Sequence, residues 1–328
     1  MTSHRRSTGW LEGLTHPIVL APMAGATDGA MAAAVTVAGG LGTMAFAYGA
    51  TPEIVRRETA VARAAGPFGI GLMNWQIGQQ EGVLEAVVEA GPALLSLSFG
   101  DPGEVVPRVR ELHPGLAIAT QVGTVKEAQR ALEIGVDVLV ARGSEGGGHG
   151  LGAVSTLPLL QQVLDLAADV PVLAAGGIAT GRGVAAALAA GAVGVWVGTP
   201  FAACLESPAL PAVKAAMIAA DSSQTIFTRA FDVAQRLDWP EQFGGRALTN
   251  DFTQEWADRL PELAAQVGES DDLTLRMRAA RSEGDLSLAP VYAGQSVGLV
   301  HSERSVADVV AELATYRHYL RAALDRLG

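Results

Sequence analysis

Ile18-Val19-Leu20-Ala21-Pro22-Met23-Ala24-Gly25-Ala26-Thr27-Asp28 is the stretch on which the fold turns. Its first residues are apolar on both faces, as a strand buried in a parallel sheet must be. The turn that follows, Pro22 to Asp28, lacks the G-x-G-x-x-G fingerprint that opens a doubly wound dinucleotide-binding sheet. Runs of the same character recur at 41–46, 68–73, 94–99, 116–122, 136–142, 170–177 and 194–199, and each run but the last is followed by a stretch able to form a helix. Eight parallel strands with helical connections close most economically into an α/β fold of the (β/α)8 TIM-barrel type, with the open doubly wound sheet as the alternative.

Composition agrees with one large α/β domain plus an accessory piece. The chain has 328 residues, 49% of them hydrophobic, and carries a net charge of −11. That charge is spread without a Lys/Arg tract, so the footprint of a nucleic-acid or acidic-membrane binder is missing and a small-molecule partner is expected. The basic opening from Met1 to Thr8 leads into Gly9-Trp10-Leu11-Glu12 with no signal-peptide core, and no apolar run reaches membrane-spanning length. A cytoplasmic location follows, and the sequence is compatible with a homo-oligomer. The single cysteine, Cys204, excludes an intrachain disulfide and reads as a small buried hydrophobe. No His-x-His or His/Asp/Glu cluster has ligand spacing, so no metal site is expected.

In a barrel, function belongs to the loops at the carboxyl ends of the strands. The longest strand-to-strand interval follows the sixth run and carries Gly143-Ser144-Glu145-Gly146-Gly147-Gly148-His149-Gly150. Its five glycines would let backbone amides approach a bulky planar ligand, and His149 is the strongest acid/base candidate in the chain. The competing reading of His149 is a hydrogen-bonded loop histidine without catalytic duty. The seventh and eighth runs end in Ala174-Ala175-Gly176-Gly177-Ile178 and Val197-Gly198-Thr199-Pro200, both placing glycine amides where a helix should start. Either turn alone could be no more than a tight corner. Two in successive units match the phosphate site that barrels build there, with main-chain N–H groups and the Thr199 hydroxyl as donors.

Taken together, Ala21-Pro22-Met23, the glycine-histidine loop, the two phosphate turns and the late Tyr292-Ala293-Gly294-Gln295-Ser296-Val297-Gly298-Leu299 resemble the nitronate monooxygenases, formerly called 2-nitropropane dioxygenases. The resemblance covers about 15–206 and 290–300. It implies an FMN-dependent barrel with a smaller helical domain inserted late, the barrel comprising 1–203 and 288–328 and the lid 204–287. Carried over residue by residue, it puts Ala21, Pro22 and Met23 beside the flavin and Gly147 against its ring. It puts Gly176, Gly177, Gly198 and Thr199 on the phosphate, and His149 at a small nitronate or nitroalkane that is oxidised by O2 to a carbonyl compound and nitrite.

Two positions depart from that pattern. Many members carry Asn and Gln where this chain has Gly71 and Arg142, so hydrogen bonds to the flavin must differ. Arg142 could donate to the electron-rich edge of the reduced flavin or pair with Glu145. Gln121 is either a donor to the flavin or a polar residue of the barrel rim. Trp75, just past the third run, is a wall of the substrate site or a packing residue. Tyr292, Gln295 and Ser296 return to the site late in the chain.

Past Phe201 the pattern changes. Helices are expected over 205–220, 253–265, 273–282 and finally 305–326. Other classes share the glycine-histidine loop, namely NAD(P)H-dependent FMN enzymes of the enoyl-acyl-carrier-protein reductase and quinone reductase types. The lack of a nicotinamide motif does not separate them, because a nicotinamide can stack on FMN without one. Inosine-phosphate dehydrogenases share the phosphate turns but need a loop cysteine that is missing here. A non-catalytic flavin-binding module would hold FMN without turnover.

Overall fold

The computed structural model describes residues 9–327; residues 1–8, which contain the basic opening discussed above, and residue 328 lie outside the described residues. Among the described residues eleven strands run in chain order: β1 (Ile18–Leu20), β2 (Gly42–Ala45), β3 (Phe68–Met73), β4 (Leu94–Ser98), β5 (Ile118–Val122), β6 (Val138–Arg142), β7 (Gly148–Gly150), β8 (Val172–Ala175), β9 (Gly194–Val197), β10 (Thr225–Thr228) and β11 (Gly244–Leu248). Eight of them form one parallel sheet in the order β1-β9-β8-β6-β5-β4-β3-β2. Its two edges meet. The Leu41 N–H donates to the Ile18 carbonyl at 2.9 Å, and the Leu20 N–H donates to the Leu41 carbonyl at 3.0 Å. The sheet is therefore a closed (β/α)8 barrel, as the apolar runs predict.

Alternation along each strand sorts side chains between two apolar layers. Val19, Leu41, Leu94, Val138, Val140, Leu173 and Trp196 fill the barrel interior. Ile18, Leu20, Leu95, Leu97, Ile118 and Leu139 belong to the larger core beneath the helices. Full burial of each such side chain contributes about 1.5–3 kcal/mol. Helix starts are set by short polar residues at the ends of the loops. Asp28 accepts from the Met31 N–H at 2.8 Å, and Thr124 from the Glu127 N–H at 3.2 Å, satisfying amides that the first turn leaves without partners.

After β9 the chain makes only a short helix, Thr199–Ala202. The helix Tyr316–Leu327, from the end of the chain, packs against Gly181–Ala189. The single helix expected over 305–326 is two, Val306–Ala314 and Tyr316–Leu327. At the junction the Thr315 hydroxyl donates back to the Glu312 carbonyl at 2.6 Å, a bond that competes with the helical ladder.

The intervening segment is a mixed structure rather than an all-helical one. It contains helices Pro211–Ala219, Ala230–Gln235, Asp251–Trp256, Leu260–Glu269 and Asp272–Glu283. It also holds the antiparallel pair β10–β11, to which β7 of the glycine-histidine loop adds as a third strand. The β-branched and aromatic run Thr225-Ile226-Phe227-Thr228 explains the extra strand. The helix expected over 253–265 is likewise split, with Pro261 in the first turn of the second piece, where its missing N–H costs nothing. Phe231, Phe252, Leu263 and Met277 give this segment its own core.

Burial pushes the Cys204 thiol up to about 12, so it is protonated at neutral pH. A thiol-reactive chromophore added to the folded protein should therefore register no fast-reacting cysteine, whereas prompt labelling would show that this part of the core opens. Among the described residues no helix is long and apolar enough to cross a membrane.

Candidate active site

At the carboxyl ends of the barrel strands lies a cavity of about 440 Å³, within the range of small-molecule sites. Ala21, Pro22, Met23, Gly71, Gln121, Arg142, Gly147, Gly176, Gly177, Gly198 and Thr199 all line it, together with His149, Tyr292 and Ser296. Trp75 and Gln295 are not in its wall. Trp75 stands one layer back, its ring 5.3 Å from that of Trp239. Gln295 is exposed, and its backbone N–H holds the late segment to the Glu145 carbonyl at 2.9 Å.

Two arginines shape the glycine-histidine loop. Buried Arg142 donates through Nη2 to the carbonyls of Gly146, Gly147 and Gly148 at 3.0, 2.9 and 3.0 Å. Arg246, from β11, donates through Nε to the Ser144 carbonyl at 2.8 Å. Burial and the neighbouring Arg246 lower the Arg142 guanidinium to about 10, which leaves it charged at neutral pH. Glu145 is taken up elsewhere. Its Oε2 accepts from the backbone N–H and the hydroxyl of Thr156, both at 2.9 Å. Room for Arg142 comes from Gly150, where a Cβ would stand 1.7 Å from Nη1. At Gly71 a Cβ would stand 2.5 Å from Pro22 Cγ, so the missing side chain lets the first loop lean into the barrel mouth.

His149 is held on three sides by residues from the segment beyond the barrel. Its backbone pairs with Gly245 of β11. Its Nε2 lies 2.8 Å from Asp232 Oδ1, and the Asp232 side chain is 2% exposed. Its ring stacks on Trp239 with centroids 3.7 Å apart and planes within 1°. Tyr292 closes a further side at 5.3 Å. Burial and the Asp232 charge push the Tyr292 phenol above its ordinary range, and burial with Asp232 and Asp238 pushes that of Tyr48 up to about 12. Both phenols are thus neutral hydrogen-bond donors at physiological pH.

The two predicted phosphate turns sit side by side on β8 and β9, which are neighbours in the barrel. Gly176 and Gly177 have φ of +104° and +70°, a conformation that favours glycine. Thr199 Oγ1 accepts from the Gly294 N–H at 2.9 Å and so ties the late segment to the second turn. Its hydroxyl proton stays available to a ligand. Whether the wall suits a flavin nucleotide can be judged from its shape and charge. Where a Cβ would stand at Gly148 there is nothing within 4 Å, so bare backbone borders open space there, whereas at Gly177 it would rest in ordinary contact with Glu145 Cβ at 3.6 Å. Among the described residues the charged side chains of the wall are Arg142 and Arg281, with no carboxylate, in a chain of net charge −11. The wall fits a planar ligand with an anionic tail.

Sequence reasoning missed several residues. Asp232 left a trace, a single acid inside the apolar run Ala230-Phe231-Asp232-Val233-Ala234. Trp239 and Arg246 lie in the stretch read only as a lid. Ser96 and Ser98 are buried in the cavity wall with their hydroxyls 3.0 Å apart, and the Gln121 N–H donates to Ser98 Oγ at 3.2 Å. Their alternation with leucines in β4 was the available signal. Phe99, also in the wall, has φ of +67°, strain that a sequence does not reveal.

A closed barrel whose carboxyl-end cavity gathers a glycine cradle and a buried imidazole–carboxylate pair is the architecture of a barrel enzyme. The chain belongs to the nitronate monooxygenase family, whose profile matches residues 71–315, and it is an oxidoreductase of that type. It is 30% identical to a nitronate monooxygenase of Paraburkholderia phytofirmans, over 92% of each chain. Among solved structures it is similar to a nitroalkane oxidase from Streptomyces ansochromogenes, with a TM-score of 0.81 and 29% identity over 97% of this chain and 100% of that one. It is also similar to FabK from Thermotoga maritima, with a TM-score of 0.80 and 28% identity over 99% of both chains.

Proposed function

We propose that the protein uses FMN and O2 to oxidise small alkyl nitronates, or the nitroalkanes from which they form, to a carbonyl compound and nitrite. The observation that carries this reading is the meeting of His149 with the glycine cradle in one cavity whose wall bears arginine and no carboxylate. Gly176, Gly177, Gly198 and Thr199 would hold the phosphate through main-chain N–H groups and a hydroxyl. Ala21, Pro22, Met23, Gly71, Gln121, Arg142 and Gly147 would border the flavin ring. FMN, when bound, supplies the passage of electrons from the nitronate to O2.

The chain's own task is placement and proton handling. A neutral nitroalkane must lose its α-proton before oxidation, and the imidazole of His149 accepts it. A nitronate supplied ready-made needs only an electrostatic partner for its negatively charged oxygens, a part that His149 would take. Tyr292 and Ser296 would meet the substrate. Trp75 and Gln295 would act from behind the wall, through Trp239 and through the Glu145 carbonyl. Residues 204–287 would form the lid that excludes water, over a barrel of 1–203 and 288–328. A cytoplasmic protein acting on a small molecule is the setting that suits this chemistry.

The test is the anaerobic visible spectrum of the purified holoprotein with an alkyl nitronate, and with NADH and NADPH in parallel cuvettes. Loss of the oxidised flavin band with nitronate alone is the expected result. Reduction by NADH or NADPH only would move the protein to the enoyl-thioester or quinone reductases. A protein that takes up no flavin would overturn both readings.

A further inference from the structure

We propose that Asp232 is a positioning residue that keeps His149 in the tautomer with the proton on Nε2, leaving Nδ1 as the atom that accepts the substrate proton. The reactive form of the barrel's histidine is then set by the segment beyond the barrel. A carboxylate oxygen only accepts hydrogen bonds, so the 2.8 Å contact between Asp232 Oδ1 and Nε2 assigns the donor proton to Nε2. A neutral imidazole has one N–H, and Nδ1 is left with a free lone pair. Stacking on Trp239 at 3.7 Å fixes the plane of the ring, and pairing with Gly245 fixes the backbone that carries it.

The carboxylate itself is firmly placed. Asp232 belongs to helix Ala230–Gln235, which packs on Leu260–Glu269 and Asp272–Glu283. Phe231 beside it stacks on Phe252 at 5.1 Å, and the Thr274 hydroxyl donates to the Ala234 carbonyl at 2.8 Å. Proton transfer then balances as follows. The α-carbon C–H bond breaks, its electron pair passes into the nitro group to give the nitronate, and the proton forms a new bond to Nδ1. The resulting imidazolium has Asp232 at one edge and the face of Trp239 beneath it, both favourable to positive charge.

This assignment rests on the proposed proton-abstraction role, so its test includes a readout that needs no substrate. Long-range 1H–15N correlation spectra of 15N-histidine-labelled holoprotein, with His149 assigned by its loss in His149→Gln, should show Nε2 protonated and Nδ1 bare. In Asp232→Asn the amide N–H2 can donate to Nε2, so the proton should move to Nδ1. The same variant should lose about 10²-fold or more in kcat on a neutral nitroalkane, with KM little changed and a smaller loss on the pre-formed nitronate. Asp232→Glu, which keeps an acceptor, should recover part of the rate and keep the wild-type tautomer. A wild-type ring protonated on Nδ1, or an unchanged tautomer in a folded Asp232→Asn, would overturn the assignment. If the tautomer behaves as expected but no nitroalkane or nitronate reacts, the substrate reading fails while the role of Asp232 stands.

Discussion

Alanine at position 149 should lower kcat/KM for a neutral nitroalkane by about 10²–10⁴-fold, the range that a positioned general base contributes. Oxidation of the same compound supplied as its nitronate should fall far less, because the C–H bond is already broken and only the charge on the nitro oxygens remains to be met. Bound flavin should survive. The His149 side chain is tied to Asp232 and Trp239, whereas the phosphate would be held by the glycine turns at the ends of β8 and β9 and by the Thr199 hydroxyl. Steady-state rates on both forms of one substrate, at matched flavin content, measure the split. Equal losses on the two would show that proton abstraction is not the main task of His149, and equal silence on both would favour a flavin-binding module without turnover.

Gly150→Ala is expected to cost about 3 kcal/mol of stability, from overpacking together with hydrogen bonds lost to displaced guanidinium atoms. The added methyl would stand 1.7 Å from Arg142 Nη1 and 2.4 Å from Cζ, so the guanidinium has to move. Moving it loosens the three carbonyls of Gly146, Gly147 and Gly148 that carry the loop into the cavity. Urea unfolding of Gly150→Ala, Arg142→Met and the double variant gives the decisive comparison. If the clash is the cause, the alanine should cost much less once Arg142 is gone, giving a coupling energy well above the few tenths of a kcal/mol expected of independent sites. Additive losses would place the cost elsewhere, in the pairing of β7 with β11.

Most of the barrel was legible because its signals are local. Apolar runs of strand length, helix-capable connections and the missing dinucleotide fingerprint all sit within a few residues of one another, and each strand reports its own burial. The phosphate turns were legible for the same reason, since Gly176, Gly177, Gly198 and Thr199 follow directly on their strands. The helical pieces beyond Phe201 were only partly readable. Pro261, through its missing N–H, and Thr315, through its hydroxyl, break two expected helices, and the strand at Thr225–Thr228 gains its partner, β11, some sixteen residues further along the chain.

The sequence by itself determined the eight-stranded barrel, the loops that carry function, and the identity of His149 as the acid/base candidate, because hydrophobic period, glycine content and residue chemistry are all written in short windows. Only the tertiary structure decided what holds that histidine. Asp232 lies 83 positions from it and Trp239 farther still, and the lone acid in its apolar run does not say which residue it will meet. The arginine of β6 had two open roles in the sequence, and the fold gave it a third, as the strut of the glycine loop, while Glu145 went to Thr156. Contacts of this kind depend on where a later segment docks on the barrel mouth, and docking is set by the whole apolar surface buried between them rather than by any run of neighbouring residues.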